Sequence, residues 1–162
     1  MRVGILSDSH DHVERTRAAV AILCEAEADV LVHCGDLAKP EIVAACAVRP
    51  FYFVFGNHDG DMVADLRAAA AEHGATCLEW GCEFEAAGKR IAVVHGHLRK
   101  DLRPLLASEP DYLLSGHSHA ARDWHEGSTR RINPGALYRA SEYTVALLDV
   151  AADDVRFLTV PA

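Results

Sequence analysis

The stretch Phe51–Asp61, FYFVFGNHDGD, decides the fold. Its first five residues are an unbroken apolar, mostly aromatic run, which predicts a fully buried strand. Gly56 stops the run, and Asn57, His58 and Asp59 follow at once. An amide oxygen can coordinate a cation, an imidazole can donate a proton, and a carboxylate can hold that imidazole in one orientation. Asn, Asp and Gly together are also ordinary turn chemistry, so the stretch must be weighed against the rest of the chain.

The same design recurs along the chain. Val3–Leu6 ends in Ser7-Asp8-Ser9-His10-Asp11-His12, Val30–Val32 in His33-Cys34-Gly35-Asp36, Arg90–Val94 in His95-Gly96-His97, and Tyr112–Ser115 in Gly116-His117-Ser118-His119. With His58, eight of the ten histidines lie in these five clusters. Between the first three runs the pattern is helical: an apolar stripe of Val13, Val20, Leu23 and Cys24 up to about Ala28, a short helix opened by Pro40, and a helix through Leu66, Ala69 and Ala70 closed by Gly74. Asp11 with Glu14 resembles a capping box at the start of the first helix. Alternating strand and helix implies parallel strands with right-handed crossovers. The second half reads as short strands at 76–79 and 82–86, a helix over 98–107, and hairpins around Glu126-Gly127 and Ala151–Asp154. Parallel strands deliver their C-terminal ends to one edge of a sheet, where ligands bind. The five clusters are therefore expected to meet in space.

The totals bound the remaining choices. A chain of 162 residues, half of them hydrophobic, fits one domain with its own core, here taken as 1–162. No apolar run approaches the roughly 20 residues that span a bilayer, and Met1–Asp8 enters a strand with no signal-peptide layout. A cytoplasmic protein with no membrane partner is the expectation. Five cysteines without a C-x-x-C pair predict reduced buried thiols rather than a zinc ribbon or disulfide framework. A formal net charge of −8 disfavours a stable nucleic-acid complex.

The cluster donors are carboxylate, imidazole and amide. That mixture suits manganese, iron or zinc and is too rich in nitrogen for calcium. There are more donors than one coordination sphere needs, and two ions about 3.5–4 Å apart with a shared carboxylate would use them. Two divalent ions against Asp8 and Asp36 leave the cluster net positive, which fits phosphate oxygens.

Taken in order, Asp8-x-His10, Gly35-Asp36, Gly56-Asn57-His58-Asp59, His95-Gly96 and Gly116-His117-Ser118-His119 resemble the calcineurin-like metallophosphoesterase family, and most closely its small single-domain prokaryotic phosphodiesterases. Ile132-Asn133-Pro134-Gly135 also resembles a segment of that branch. The resemblance implies an α/β fold of four layers, an αββα sandwich of two mixed sheets flanked by helices. It implies one ion held by Asp8, His10, Asp36 and His119, and another held by Asp36, Asn57, His95 and His117, with Asp36 bridging. It further implies attack of a metal-bridging hydroxide on phosphorus, with His58 as general acid oriented by Asp59. The expected cofactor is two divalent ions, manganese first, with iron, zinc, nickel or magnesium as alternatives.

The expected substrate is a small or nucleotide-like phosphodiester. A phosphomonoesterase on the same site and a non-catalytic protein-binding scaffold of the same fold are the alternatives, and retention of His58 and of all seven implied metal ligands argues against the scaffold. Sheet edges of this branch leave a homo-oligomer open. His97 reads either as a substrate contact or as an outer hydrogen-bond partner. His12 and His33 read as structural, Cys34 as a small buried hydrophobe, and Arg99, Lys100 and Arg103 as a solvated helix face.

Overall fold

The computed structural model describes residues Met1–Ala162. Three apolar runs form the parallel centre of one sheet: β1 (Arg2–Leu6), β2 (Val30–His33) and β3 (Phe51–Phe53). They pair in register, Gly4 beside Leu31 and Leu31 beside Phe51. Helices α1 (Val13–Glu25) and α2 (Pro40–Cys46) make the crossovers. A 3-10 turn (Gly60–Met62) and α3 (Val63–His73) lead to β4 (Thr76–Cys77), parallel to β3.

The second sheet contains β5 (Gly81–Ala86), β6 (Lys89–Val94), β7 (Tyr112–Ser115), β8 (Arg122–Glu126) and β9 (Thr129–Asn133), in the order β5-β6-β7-β9-β8. Helix α4 (Arg99–Ala107) links β6 to β7, which are parallel. The chain then returns to the first sheet. Strand β10 (Thr144–Asp149) runs antiparallel to β1, and β11 (Asp154–Thr159) forms the outer edge, giving β11-β10-β1-β2-β3-β4.

Alternation along each strand explains the layers. Val3, Ile5, Val30, Val32, Ile91, Val93, Leu114, Ile132, Ala146 and Leu148 fill the space between the sheets. Leu6, Leu31, Phe51 and Phe53 face the other way and pack with Leu23, Ile42 and Leu66 of α1, α2 and α3. On the far side Ala92, Val94 and Leu113 meet Leu102, Leu105 and Leu106 of α4. The result is the expected αββα arrangement of two mixed sheets. Strands buried on both faces carry continuous rather than alternating apolar sequence, which is why these runs stand out.

Three expectations are corrected. The FYFVF strand keeps regular pairing only to Phe53. Val54 and Phe55 stay buried, but their N–H groups go to the carbonyls of His33 and Glu79, so the chain already bends toward the sheet edge. The short strand predicted at 76–79 is regular only over Thr76–Cys77, because Leu78 and Glu79 already serve that bend. The capping box does not form. Helix α1 starts at Val13 with His12 at its N-cap and no side-chain cap. Asp11 lies one residue too early and turns to Lys39, 3.5 Å away.

Candidate metal centre

The segments after β1, β2, β3, β6 and β7 leave their sheets at one edge, and their backbones are bent sharply there. Asp8, His10, Asp36, His117 and His119 all have positive φ, from 48° to 67°. Non-glycine residues rarely adopt this region, and such strain concentrates at functional sites. The bends need close approach between segments. A Cβ on Gly56 would lie 2.1 Å from Asp36 Oδ1, and one on Gly116 would lie 1.9 Å from Ser7 Oγ. Only glycine fits at either point.

Within this edge Asp8, His10 and His119 bring donor atoms within 4.8 Å of one another, as do His10, Asp36 and His58, and Asp8, Asp36 and His95. Asp36 Oδ2 is 3.7 Å from His10 Nε2 and 3.5 Å from His95 Nε2. It stands between the two halves of the cluster. His119 Nε2 is 3.2 Å from Asp8 Oδ1, and Asn57 Oδ1 is 3.0 Å from His95 Nε2. The His117 ring lies 5.2 Å from that of His95 and 6.1 Å from that of His97, and the His58 ring 4.8 Å from that of His10.

Neighbouring groups fix how these donors point. The carbonyl of Cys34 lies 2.8 Å from His95 Nδ1, so that nitrogen carries a proton and Nε2 faces the centre. The carbonyl of Arg139 does the same for His119 at 3.3 Å. Asp8 Oδ2 accepts the Ser7 hydroxyl at 2.6 Å and the His117 amide at 3.1 Å, while Asp36 Oδ1 accepts the His58 amide at 2.8 Å. Burial works against the charge of Asp36, yet His95, the His58 amide and His10 together hold its carboxyl down at about 2. Burial likewise depresses the His95 imidazole, but Asp36 and Asp8 outweigh it and raise it overall.

A cation fits this donor set. Asp8 Oδ1 and His10 Nε2 are buried and have no hydrogen-bond partner, and buried polar atoms without one are costly. Asp36 Oδ2 and Asn57 Oδ1 are acceptors that close on the same atom, His95 Nε2, at 3.5 and 3.0 Å. The thiol of Cys34 is not among these clustered donors, and burial pushes it well above its ordinary value.

Asp59 corrects the expected orienting role. Its carboxylate is fully buried and accepts the backbone N–H groups of Asp36, Ala38 and Gly56 at 2.8, 2.7 and 2.7 Å. These bonds tie the loops after β2 and β3 together and leave no hydrogen bond to the His58 ring. Burial raises this carboxyl against those three donors. Residues next to each other in sequence point in different directions, so the pairing implied for His58 is not realised.

Two further groups, Asn133 from the segment singled out in the sequence and Tyr138, which the sequence did not mark, support the site. Asn133 Nδ2 donates to the carbonyl of Gly116 and to Ser118 Oγ, clamping the GHSH segment. The Tyr138 ring lies 4.5 Å from His10 and 5.0 Å from His12. The segment beginning Asn133-Pro134-Gly135 carries Tyr138 and Arg139 to this edge, and its resemblance to the same branch is the signal that pointed there.

His33 is structural, as expected. Its Nδ1 accepts the Gly35 amide at 3.2 Å, so Nε2 carries the proton and donates to Ser9 Oγ at 2.8 Å. Burial, then the charge of His95, pushes the imidazole from 6.5 down to about 3. In that interval the unfolded chain binds a proton that the folded chain refuses. Folding stability without metal should therefore fall as pH drops from 6.5 toward 3, by up to about 1.4 kcal/mol per pH unit from this group. Urea unfolding across that range should show a shallower slope for His33→Gln. An unchanged slope would remove His33 as the source.

The model of the calcineurin-like phosphoesterase superfamily domain matches residues 1–153. The chain belongs to this family. It is 32% identical to the probable metallophosphoesterase YsnB of Bacillus subtilis over 97% of this chain and 90% of that protein. It is 24% identical to a phosphodiesterase of Methanocaldococcus jannaschii over 96% of this chain and 97% of that protein. Among solved structures, an archaeal phosphodiesterase superposes with a TM-score of 0.88 at 23% identity, covering 98% of this chain and 99% of that one. Divalent metal ions are the cofactors that membership of a metallophosphoesterase family implies. No helix of the chain is long and apolar enough to cross a membrane.

Proposed function

We propose that this calcineurin-like family member is a dinuclear-metal-dependent phosphodiesterase acting on a small or nucleotide-like phosphoester. The observation that carries the reading is the position of Asp36 Oδ2 between His10 Nε2 and His95 Nε2. One ion is assigned to Asp8, His10, Asp36 and His119, the other to Asp36, Asn57, His95 and His117, with Asp36 shared. Manganese is placed first among manganese, iron and zinc, all of which accept mixed oxygen and nitrogen donors. Such ions supply Lewis-acid activation of a phosphoryl oxygen and of the attacking water.

The chain's own residues do the rest. Asp8 and Asp36 set the charge of the centre, and Cys34 and Arg139 carbonyls aim His95 and His119. His58 is exposed beside His10, and its backbone amide is spent on Asp36, which leaves its imidazole free to protonate the leaving oxygen. Asp59 acts through the loops that carry Asp36 and Gly56. The chain is read as one domain working in the cytoplasm, in keeping with its five free thiols.

Elemental analysis after reconstitution with Mn²⁺, joined to turnover of a chromogenic diester such as bis(p-nitrophenyl) phosphate, tests the reading. Two bound ions per chain and metal-dependent turnover are expected. Saturation at one ion would remove the shared carboxylate. Absence of turnover with manganese, iron, zinc, nickel and magnesium alike would remove the hydrolase. Turnover of p-nitrophenyl phosphate in preference to the diester would turn the assignment to a monoesterase.

A further inference from the structure

Beside Asn57 the molecular surface opens into a cavity of about 350 Å³ lined by Asn57, Trp80, His97, Leu98, Lys100 and Asp101. That is within the size range of small-ligand pockets. Trp80 is 37% exposed and Leu98 39% exposed, two of the five large hydrophobic side chains that the whole chain leaves in solvent. Their meeting in one cavity that also contains Asn57 calls for a ligand rather than for chance exposure.

Trp80 is held as a rigid surface. Its ring leans on buried Phe55, with centroids 5.3 Å apart. The turn that carries it is tied down on both sides. Phe55 N–H donates to the carbonyl of Glu79, and the Glu79 carboxylate takes two hydrogen bonds from the Arg67 guanidinium. His97 stands between this platform and the metal centre, its ring 6.3 Å from Trp80 and 5.4 Å from His95. The line Phe55, Trp80, His97, His95 thus runs from the core to the cluster.

The charges of Lys100 and Asp101 cancel within the cavity. A second phosphate therefore gains little there, whereas a flat, uncharged aromatic group gains the Trp80 face, the Leu98 side chain and polar edges from His97 and Asp101. We infer that Trp80, Leu98 and His97 form a base-binding subsite, so that the substrate is a phosphodiester carrying a nucleobase. This deepens, and rests on, the phosphodiesterase reading. Stacking of a base on an aromatic side chain is sequence-tolerant, which fits a platform with few directed donors.

The test compares two diesters with the same leaving group, the p-nitrophenyl ester of thymidine 5′-phosphate and methyl p-nitrophenyl phosphate, on Mn²⁺-loaded protein. Wild type should prefer the thymidine ester in kcat/KM. Trp80→Ala should lower kcat/KM for that ester by about 5- to 150-fold, the range that base stacking commands, and leave the methyl ester nearly unchanged. Trp80→Phe should recover most of the loss. Equal effects on both esters, or measurable turnover of both without preference in wild type, would overturn the subsite.

A second arm needs no turnover. The chain has two tryptophans, so Trp124→Phe leaves Trp80 as the sole tryptophan emitter. Thymidine 5′-phosphate should quench it saturably, and ribose 5-phosphate should not. No quenching, or equal quenching by both, overturns the subsite. Failure of both esters in wild type alongside base-dependent quenching would instead overturn the hydrolase reading and keep the subsite.

Discussion

Asp36→Asn is expected to strip both ions and to lower turnover by well over about 100-fold, more than substitutions of outer-shell partners usually cost. The geometry separates two jobs within one carboxylate. Oδ1 accepts the His58 amide at 2.8 Å and lies where Gly56 leaves no space for a side chain. An asparagine oxygen can keep that bond. Oδ2 faces His10 Nε2 and His95 Nε2, and there an amide NH₂ would bring two hydrogens and no charge to the place proposed for the shared donor. The fold should therefore survive, with a thermal midpoint near that of metal-free wild type, while the metal content collapses. Elemental analysis, activity and melting temperature of the same preparation decide it. Two tightly held ions and a near-normal rate in Asp36→Asn would show that no shared carboxylate exists at this position. Loss of the fold would show that Oδ1 and the His58 amide matter more than the ions.

The parts of this arrangement that could be read from sequence are those written in runs. Strands β1, β2, β6 and β7 are apolar on both faces at their C-terminal ends, so each ended visibly where its cluster began. Pairing of β10 with β1 joins residues such as Val3 and Leu148 that are far apart in the chain. No local pattern announces such a partner, since any buried apolar strand would serve. Backbone strain was equally hidden. Glycine advertises positive φ, but Asp8, His10, Asp36, His117 and His119 do not. Asp59 failed for a related reason. Its neighbour His58 is exposed while Asp59 is fully buried, and adjacency in sequence says nothing about which of them turns inward at a bend. Trp80 and Tyr138 were missed because each is a lone aromatic in a loop, with no periodicity to mark it.

His58→Ala should separate proton donation from metal binding. The side chain is exposed, and the bond that His58 makes to Asp36 uses its backbone amide, which alanine keeps. Metal content and stability should thus stay close to wild type. What is removed is an imidazole beside His10, at the rim where a leaving oxygen would emerge. A general acid is typically worth about 10²–10⁴-fold, and its value grows with the basicity of the group it protonates. For alkyl esters, whose alkoxides are strongly basic, the loss should approach the upper part of that range. For p-nitrophenyl esters, whose phenolate departs without a proton, it should be far smaller. The measurement is kcat for a series of phosphodiesters graded by leaving-group pKa, in wild type and His58→Ala, with metal content checked in each. A steeper dependence on leaving-group pKa in the variant is the expected result. Parallel lines would remove the acid role, and loss of an ion would make His58 a ligand, consistent with its nearness to His10 and Asp36. Asp59→Asn provides the contrast. Its three backbone N–H donors require an acceptor at both oxygens, and an amide would turn an N–H against at least one of them. That variant should lose stability and metal together, with equal rate losses across the series, because it disturbs the loops of Asp36 and Gly56 rather than the imidazole.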